Sequence, residues 1–295
     1  MFAAMCVIWG IPYLFIRIAV SEISPAVLVF FRTGVAALIL MPLVLRQGGL
    51  RPIGGKWPYL LAFAAIEVAI PWFLLSSAEQ HITSALAGLL IAAVPLAGVL
   101  IAAAFGNREY FGAGTMAGLL VGLAGVVLIV GFDLRASSPL ALAEMAVVVA
   151  GYALGPAILA RYLTGIPSVT ASGVALAICC VAYAPVALVQ WPHAMPSAAV
   201  LGSVAVLAVV CTALAFLLFF ALIAEIGPVR STVVTYVNPA VAAVLGVAVL
   251  RETFTLGMGA GFALVLLGSV LSTRRGTTPD SGLNRTSHRD GVSAM

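Results

Sequence analysis

The chain contains one stretch of sequence twice, EYFGAGTMAGLLVGLAGVVL at residues 109–128 and ETFTLGMGAGFALVLLGSVL at residues 252–271. Aligned at a spacing of 143, the two stretches are identical at nine of twenty positions. At a spacing of 144, Pro95 also matches Pro239. The regularity of these matches along the chain indicates that the protein consists of two copies of one structural unit.

The composition places both copies in a membrane. The chain has 295 residues, of which 63% are hydrophobic and 8% charged, whereas an ordinary soluble domain has about 25% charged residues. Six of the 24 charged residues also lie in the last 23 positions, 273–295. The remaining ions are too few to cover the surface of a soluble protein. We therefore predict an all-α integral membrane protein and exclude the water-soluble enzymes.

Ten segments are apolar and about 20 residues long, the length that crosses a bilayer as a helix. Each copy therefore holds five helices, and this odd number makes the two copies enter the membrane from opposite sides, as inverted repeats. We predict a first repeat at residues 1–139, a second at 140–272 and a disordered cytoplasmic tail at 273–295. The predicted segments, helix 1 to helix 10, are 2–21, 25–45, 57–78, 84–105, 111–132, 140–163, 168–189, 197–224, 228–250 and 255–272.

The positions of lysine and arginine predict the orientation. The connection between helices 2 and 3 carries Arg46, Arg51 and Lys56, and the tail carries four more arginines. Positive charge collects on the cytoplasmic side of membrane proteins. We expect a multi-pass protein of the plasma (inner) membrane with both termini in the cytoplasm.

Several motifs resemble those of the EamA family of the drug/metabolite transporter superfamily. Trp9-Gly10 precedes Arg17, helix 2 contains Phe30-Phe31-Arg32, and in each half a mid-helix proline is followed by a glutamate, Pro95 by Glu109 and Pro239 by Glu252. The resemblance covers residues 1 to about 272. It implies ten helices around a cavity between helices 1–4 and 6–9, and export of amino acids, other metabolites or drugs.

Pro95 and Pro239 lie near the middle of helices 4 and 9. A proline inside a helix removes one backbone hydrogen bond and bends the helix. Their matching positions in the two repeats favour hinges, although static kinks that only shape packing are the alternative.

Aromatic and polar residues at similar depths suggest a solute site, because ligand cavities combine apolar walls with a few fixed polar groups. A single Trp or Tyr could instead face lipid at the interface. Arg32 either reaches the interface or holds an anion. The predicted solute-binding residues besides Glu67 are Trp9, Tyr13, Trp72, Tyr152, Phe216, Tyr236 and Asn238.

Glu67 lies at the centre of predicted helix 3. An ionised carboxylate at that depth costs about 2.5–3.5 kcal/mol on insertion scales, so such residues usually face the bundle interior. Glu67 could neutralise a cationic or amino-bearing solute or carry protons for antiport. The structural alternative is a protonated carboxyl bonded to a backbone carbonyl or to Arg32. The equivalent position in the second repeat is Cys211, so the fold's symmetry does not demand a carboxylate there.

These features predict a secondary transporter that exports a small metabolite, an amino acid or an amphipathic drug-like solute by alternating access. An intramembrane enzyme and a non-transporting membrane scaffold are the alternatives, although the chain lacks His-Glu-x-x-His and Gly-x-Ser-x-Gly motifs. We expect no cofactor, no metal and no nucleic-acid partner. Protons are a candidate coupling ion. The glycine ladder Gly114, Gly118 and Gly122 leaves a homodimer open, because small residues allow close helix contact.

Overall fold

The computed structural model describes residues 1–104, 113–131, 138–227, 231 and 234–273, and within these ranges it contains helices and no strands. Eight helices are long and apolar enough to cross a membrane, and Val234–Leu250 and Leu256–Ser272 are shorter apolar helices. The predicted all-α membrane fold is confirmed. Glu109, Arg108 and Arg135 and the tail from Arg274 onward lie outside the described residues.

The helices follow the predicted order, but four of them consist of more than one segment. Their bounds are Phe2–Ile8 and Pro12–Ala19 for helix 1, Pro25–Arg46 for helix 2, Trp57–Phe63, Ala64–Ala69 and Ile70–Ala78 for helix 3, Ser84–Ile91 and Val94–Ala104 for helix 4, Ala113–Gly131 for helix 5, Pro139–Tyr162 for helix 6, Ser168–Val189 for helix 7, Ala198–Ala205, Val206–Leu214 and Ala215–Ile226 for helix 8, Val234–Leu250 for helix 9 and Leu256–Thr273 for helix 10.

Hydroxyl side chains mark where several helices begin. Ser24, Thr83 and Ser197 each precede a helix, and each side-chain oxygen accepts a hydrogen bond from the backbone N–H three residues later. Such caps satisfy a donor that the first turn of a helix leaves unpaired. The polar residues between the apolar segments therefore fix the ends of helices 2, 4 and 8.

The packing of the helices has two-fold character. Helix 2 packs on helix 7, helix 4 on helix 9 and helix 5 on helix 10, so each of these helices contacts its own counterpart in the other repeat. Helix 3 packs on helix 6, and the equivalent pair, helix 8 and helix 1, also makes contact. Exchanging the two repeats thus reproduces the same set of contacts, as expected for a pair of inverted repeats.

Glycines of helix 5 pack against helix 10 of the same chain. A methyl group at position 268 would lie 2.4 Å from the Gly122 nitrogen and 2.5 Å from the Gly118 carbonyl oxygen, and one at position 125 would lie 2.6 Å from the Gly261 carbonyl oxygen. Only glycine permits this backbone approach. Gly118 and Gly122 therefore have their partner within the chain, whereas no described residue lies within 4 Å of such a methyl group at Gly114.

The two ends of the bundle carry different charges. One end, which we call the basic face, holds Arg46, Arg51, Lys56 and Arg161, and the Lys56 ammonium group donates a hydrogen bond to the Thr164 carbonyl oxygen. The opposite end, the acid-rich face, brings together the connections after helices 1, 3, 7 and 9. Its glutamates are Glu22, Glu79, Glu144 and Glu252, accompanied by Arg17 and Arg251.

Glu252 joins the end of helix 9 to the start of helix 4 on the acid-rich face. Its carboxylate accepts hydrogen bonds from the backbone N–H groups of Ser84 (2.8 Å) and Ala85 (2.9 Å), and from the Ser84 hydroxyl at 3.0 Å. A negative charge at a helix N-terminus is stabilised both by these donors and by the helix dipole. Glu252, which follows the mid-helix proline of helix 9 in the sequence, therefore links the two repeats.

We expect Glu252→Ala to destabilise the fold by about 1–3 kcal/mol, because it leaves buried backbone donors of helix 4 unpaired. Thermal unfolding in detergent should show a lower melting temperature, and Glu252→Gln should recover part of the loss. Glu225→Ala, which removes an exposed carboxylate from the end of helix 8, is the control. Equal melting temperatures for Glu252→Ala and Glu225→Ala would show that this contact does not stabilise the protein.

The predicted hinge prolines differ in their surroundings. Helix 4 is interrupted at Ala92-Ala93, and Pro95 lies in the first turn of the segment that follows. Helix 9 instead continues through Pro239 from Val234 to Leu250. The break in helix 4 thus has no counterpart at Pro239, and hinge motion at either proline stays a prediction.

Candidate functional site

Helices 3 and 8 each contain a widened, π-helical turn, at Ala64–Ala69 and Val206–Leu214. Shifted by the repeat spacing of 144, the first range becomes 208–213, so the two wide turns occupy equivalent places in the two repeats. A π-helical turn carries an extra residue and is frequent at functional sites. Both wide turns lie in mid-helix, where the helices cross the centre of the bundle.

Side chains hydrogen-bond to the backbone of both wide turns, from helix 7 in one case and from within helix 8 in the other. In helix 3, the Ala64 carbonyl oxygen accepts from the Cys179 thiol at 3.4 Å, and the Ala69 carbonyl oxygen accepts from the Tyr183 hydroxyl at 3.0 Å. In helix 8, the Thr212 hydroxyl donates to the Leu207 carbonyl oxygen at 2.8 Å. These bonds satisfy backbone groups that a regular helix would pair internally.

Arg32 of helix 2 reaches into the bundle between the two wide turns. Its Nε atom donates a hydrogen bond to the Thr212 hydroxyl oxygen at 3.0 Å, and its guanidinium carbon lies 3.7 Å from the centre of the Trp72 ring. Only 7% of the Arg32 surface is exposed. The side chain therefore does not extend to the membrane interface, and the first of the two predicted alternatives for Arg32 is wrong.

The Arg32 guanidinium is a buried cation, and among the described residues no carboxylate forms an ion pair with it. A cation over an aromatic face gains roughly 0.5–2 kcal/mol, which offsets only part of the cost of burying a charge. Arg32 also interacts electrostatically with Tyr152, Cys211, Tyr13 and the Glu79 carboxyl group. These residues come from helices 6, 8 and 1 and the end of helix 3, so both repeats contribute to the surroundings of one positive charge.

Most of this group of residues is buried, and Tyr152 is half-buried. Tyr13 is 6% exposed and Trp72 is 7% exposed. Trp72 and Tyr13 lie toward the acid-rich end of helices 3 and 1, whereas Thr212 lies deeper. We call Tyr13, Arg32, Trp72, Tyr152 and Thr212 the central cluster. It contains three of the predicted solute-binding residues.

Glu67 lies within the wide turn of helix 3 and against helix 6. A methyl group at position 155 would lie 1.9 Å from the Glu67 Oε2 atom, so the absence of a side chain at Gly155 makes room for the carboxyl group. Oε2 is enclosed and has no hydrogen-bond partner. Tyr152 interacts electrostatically with both Glu67 and Arg32. Glu67 therefore borders the central cluster through helix 6 and is not bonded to Arg32.

The other predicted solute-binding residues lie between helices 1, 8 and 9. The Trp9 ring packs on Phe219 with 4.5 Å between ring centres, and Phe216 stacks on Phe220 at 5.9 Å. The Asn238 amide, oriented to satisfy its neighbours, donates to the Cys6 carbonyl oxygen at 3.0 Å. Tyr236 is half-buried on helix 9. Trp9 and Asn238 therefore pack outside the central cluster, while Phe216 packs on the same apolar core as Trp72.

Two residues of this region have no signal in the sequence. Thr212 is one hydroxyl in a long apolar run, and Glu79 looks like an ordinary helix-end glutamate. In the structure, Glu79 is completely buried. Within the described ranges, no three His, Cys, Asp or Glu side chains are grouped as metal ligands would be.

Comparisons with known proteins agree with this architecture. Residues 1–131 and 140–274 each match the family model described as the EamA-like transporter family. The chain is 25% identical over 279 residues to the uncharacterized inner membrane transporter YedA of Escherichia coli K12, which covers 92% of this chain and 88% of that protein. The YedA proteins of the E. coli strains CFT073 and O157:H7 match equally well.

A solved crystal structure has the same fold, with a TM-score of 0.64 at 22% sequence identity over 92% of this chain and 95% of that chain. At this identity, the likeness concerns the fold alone. The family matches cover both repeats and nearly every described helix. The chain belongs to the EamA-like transporter family.

Proposed function

We propose that the protein is a secondary carrier of the inner membrane that moves a small solute out of the cell by alternating access, with both termini in the cytoplasm. The observation that carries the proposal is the central cluster, which both repeats build and in which Tyr13, Arg32, Trp72 and Thr212 are buried. Inverted repeats that enclose a site near the midplane can expose it to either side in turn. The basic face then lies in the cytoplasm, in agreement with the positive-inside rule.

The solute in this proposal carries a carboxylate. Arg32 is buried without an ion-paired carboxylate among the described residues, and its Nε atom is already bonded to Thr212. The remaining guanidinium donors suit the two oxygens of a carboxylate. Trp72, Tyr13 and Tyr152 provide aromatic surface beside that charge. An amino acid or a similar amphipathic acid fits this combination.

The driving force in the proposal is a solute or proton gradient. The sequence contains no Gly-x-x-x-x-Gly-Lys-Ser/Thr phosphate-binding loop, and the family match takes up nearly the whole of the described chain. ATP hydrolysis by this chain is therefore not part of the mechanism that we propose.

The test uses purified protein in liposomes and four matched compounds: phenylalanine, N-acetylphenylalanine, phenylalanine amide and the doubly blocked N-acetylphenylalanine amide. We expect saturable counterflow of labelled phenylalanine, competed by N-acetylphenylalanine and far more weakly by either amide. Protein-free liposomes are the control. If none of these compounds nor a wider panel of labelled metabolites shows saturable flux, the scaffold alternative is favoured and the carrier proposal is wrong.

Glu67 serves in this proposal as the counter-ion for an amino group. We expect Glu67→Gln, which preserves the shape of the side chain beside Gly155, to weaken binding of phenylalanine about tenfold, a loss of about 1.4 kcal/mol that is typical of one charged hydrogen bond. Binding of N-acetylphenylalanine should be unchanged, because it has no ammonium group. Tryptophan fluorescence titrations measure both.

The same variant distinguishes the other roles of Glu67. Equal loss for both compounds, together with a lost pH dependence of flux, would support a proton carrier instead. Unchanged binding, flux and pH dependence would show that Glu67 is structural.

A further inference from the structure

Glu79 ends helix 3 on the acid-rich face, directly after the membrane-spanning residues. Its exposed fraction is 0%, and neither oxygen of its carboxyl group has a hydrogen-bond partner. Arg17 donates a hydrogen bond to the backbone carbonyl oxygen of Glu79 and not to its carboxyl group. A carboxylate enclosed without donors loses its hydration and gains little in return. The closed structure therefore suits the neutral, protonated form of Glu79.

Charged and titratable groups from every neighbouring element act on Glu79. Helix 1 contributes Arg17 and Tyr13, helix 2 contributes Arg32 and helix 6 contributes Tyr152. The segment after helix 9 contributes Glu252. Burial raises the pKa of Glu79 well above its ordinary value, and the Glu252 carboxylate raises it further, while Arg17 and Arg32 oppose both effects.

The carboxyl groups of Glu252 and Glu79 differ in their contacts. The Glu252 carboxylate accepts three hydrogen bonds at the start of helix 4. Two nearby carboxyl groups thus have opposite surroundings, because one is supplied with donors and the other has none.

We propose that Glu79 is a proton-binding site that couples protonation to closure of the acid-rich face. This inference rests on the proposed alternating access. In the closed state, the ends of helices 1, 3 and 4 and the segment after helix 9 enclose the neutral carboxyl group. When that face opens, water reaches Glu79 and its proton leaves to bulk solvent. Each opening therefore releases one proton and each closure takes one up.

The direction of the pH dependence follows from this linkage. The closed state holds the proton, so it is favoured at low pH and loses its advantage as the pH rises above the pKa of the solvated carboxyl group, about 4.3. For a single proton, the ratio of open to closed molecules rises by at most tenfold per pH unit. The rise ends when the pH exceeds the pKa of Glu79 in the closed state.

The experiment reads opening without any solute, from the reaction of a polar maleimide with Ser76→Cys in lipid nanodiscs. Ser76 is 2% exposed and lies one turn before Glu79. At each pH, the rate is divided by that of the exposed position in Ser21→Cys, which cancels the pH dependence of thiol chemistry. The parent chain supplies the background from its four cysteines.

Between pH 5 and pH 8, we expect the normalised rate of Ser76→Cys to rise at least tenfold when Glu79 is unchanged. With Glu79→Gln, a neutral mimic of the protonated carboxyl, it should be low and independent of pH, and Glu79→Asp should restore the dependence. Glu22→Gln is the control, because Glu22 is exposed and hydrogen bonds from Ser197 hold its pKa below the ordinary value.

The proton site would be overturned if the normalised Ser76→Cys rate stayed flat across this range with Glu79 in place. It would also be overturned if Glu79→Gln left the pH dependence of that rate unchanged. Neither result depends on flux, so failure here is distinguishable from failure of the carrier proposal. If Glu79→Gln does not fold, Glu79→Asp alone decides, since a shorter titratable side chain should shift the midpoint of the pH dependence and leave its slope.

Discussion

Arg32→Gln should weaken binding of phenylalanine and N-acetylphenylalanine by a factor of 100 or more. Arg32 is the buried cation beside Trp72 in the central cluster, and in this proposal it pairs with the solute carboxylate. Removing one partner of a buried, hydrogen-bonded charge pair costs about 3–5 kcal/mol. Binding of phenylalanine amide, which lacks the carboxylate, should be unaffected or stronger. Quenching of tryptophan fluorescence measures all three affinities, because Trp72 lies at the site.

Two further variants separate charge from geometry at Arg32. Arg32→Lys keeps the charge but cannot make the bond from Nε to Thr212 or offer two parallel donors, so we expect partial recovery. Thr212→Val removes only the acceptor that positions the guanidinium, and a loss of about 0.5–1.5 kcal/mol in binding is expected. If Arg32→Gln still prefers carboxylates to amides by the wild-type ratio, the solute class that we propose is wrong.

Gly268→Ala should lower the free energy of unfolding substantially. The added carbon would lie 2.4 Å from the Gly122 nitrogen and 2.5 Å from the Gly118 carbonyl oxygen. Both are backbone atoms, so helix 5 and helix 10 would have to move apart. Overpacking of this kind costs about 1–3 kcal/mol and occasionally more. We expect a clear drop in melting temperature and in the yield of folded protein.

Gly114→Ala is the matched control, because it adds the same methyl group to the first turn of helix 5, where no described residue lies within 4 Å. Alanine is favoured over glycine by roughly 0.5–1 kcal/mol in a helix interior and by less at a helix end, so this variant should be about as stable as the parent. Equal melting temperatures for Gly268→Ala and Gly114→Ala would contradict the close packing of helices 5 and 10.

The sequence predicted the helices and the repeat well, because long apolar segments and a fixed spacing extend over many residues and need no knowledge of tertiary contacts. Pro12 and Pro95 indicated bends, but the sequence could not predict that helix 1 is interrupted between Ile8 and Pro12 and helix 4 at Ala92-Ala93. The stability of both breaks depends on contacts from other helices, such as the packing of Gly10 against Val241.

The site was less predictable than the fold, since its residues come together only through tertiary packing. Tyr13, Trp72 and Tyr152 meet around Arg32, whereas Trp9 and Asn238 pack between other helices. Asn238 has a backbone partner in helix 1, which a single sequence cannot reveal. The burial of Glu79 was equally hidden, because a glutamate at the end of an apolar segment usually reaches solvent.

The wide turns of helices 3 and 8 also hold information about descent. A π-helical turn arises when one residue is added to an α-helix without any change in the helix on either side. Here the additions occupy the same place in two halves that match the same family model. One insertion in an ancestral five-helix protein, copied when its gene was duplicated and fused, accounts for both. The side chains that bond these turns, Arg32 on one and Tyr183 on the other, then diverged on helices of common origin.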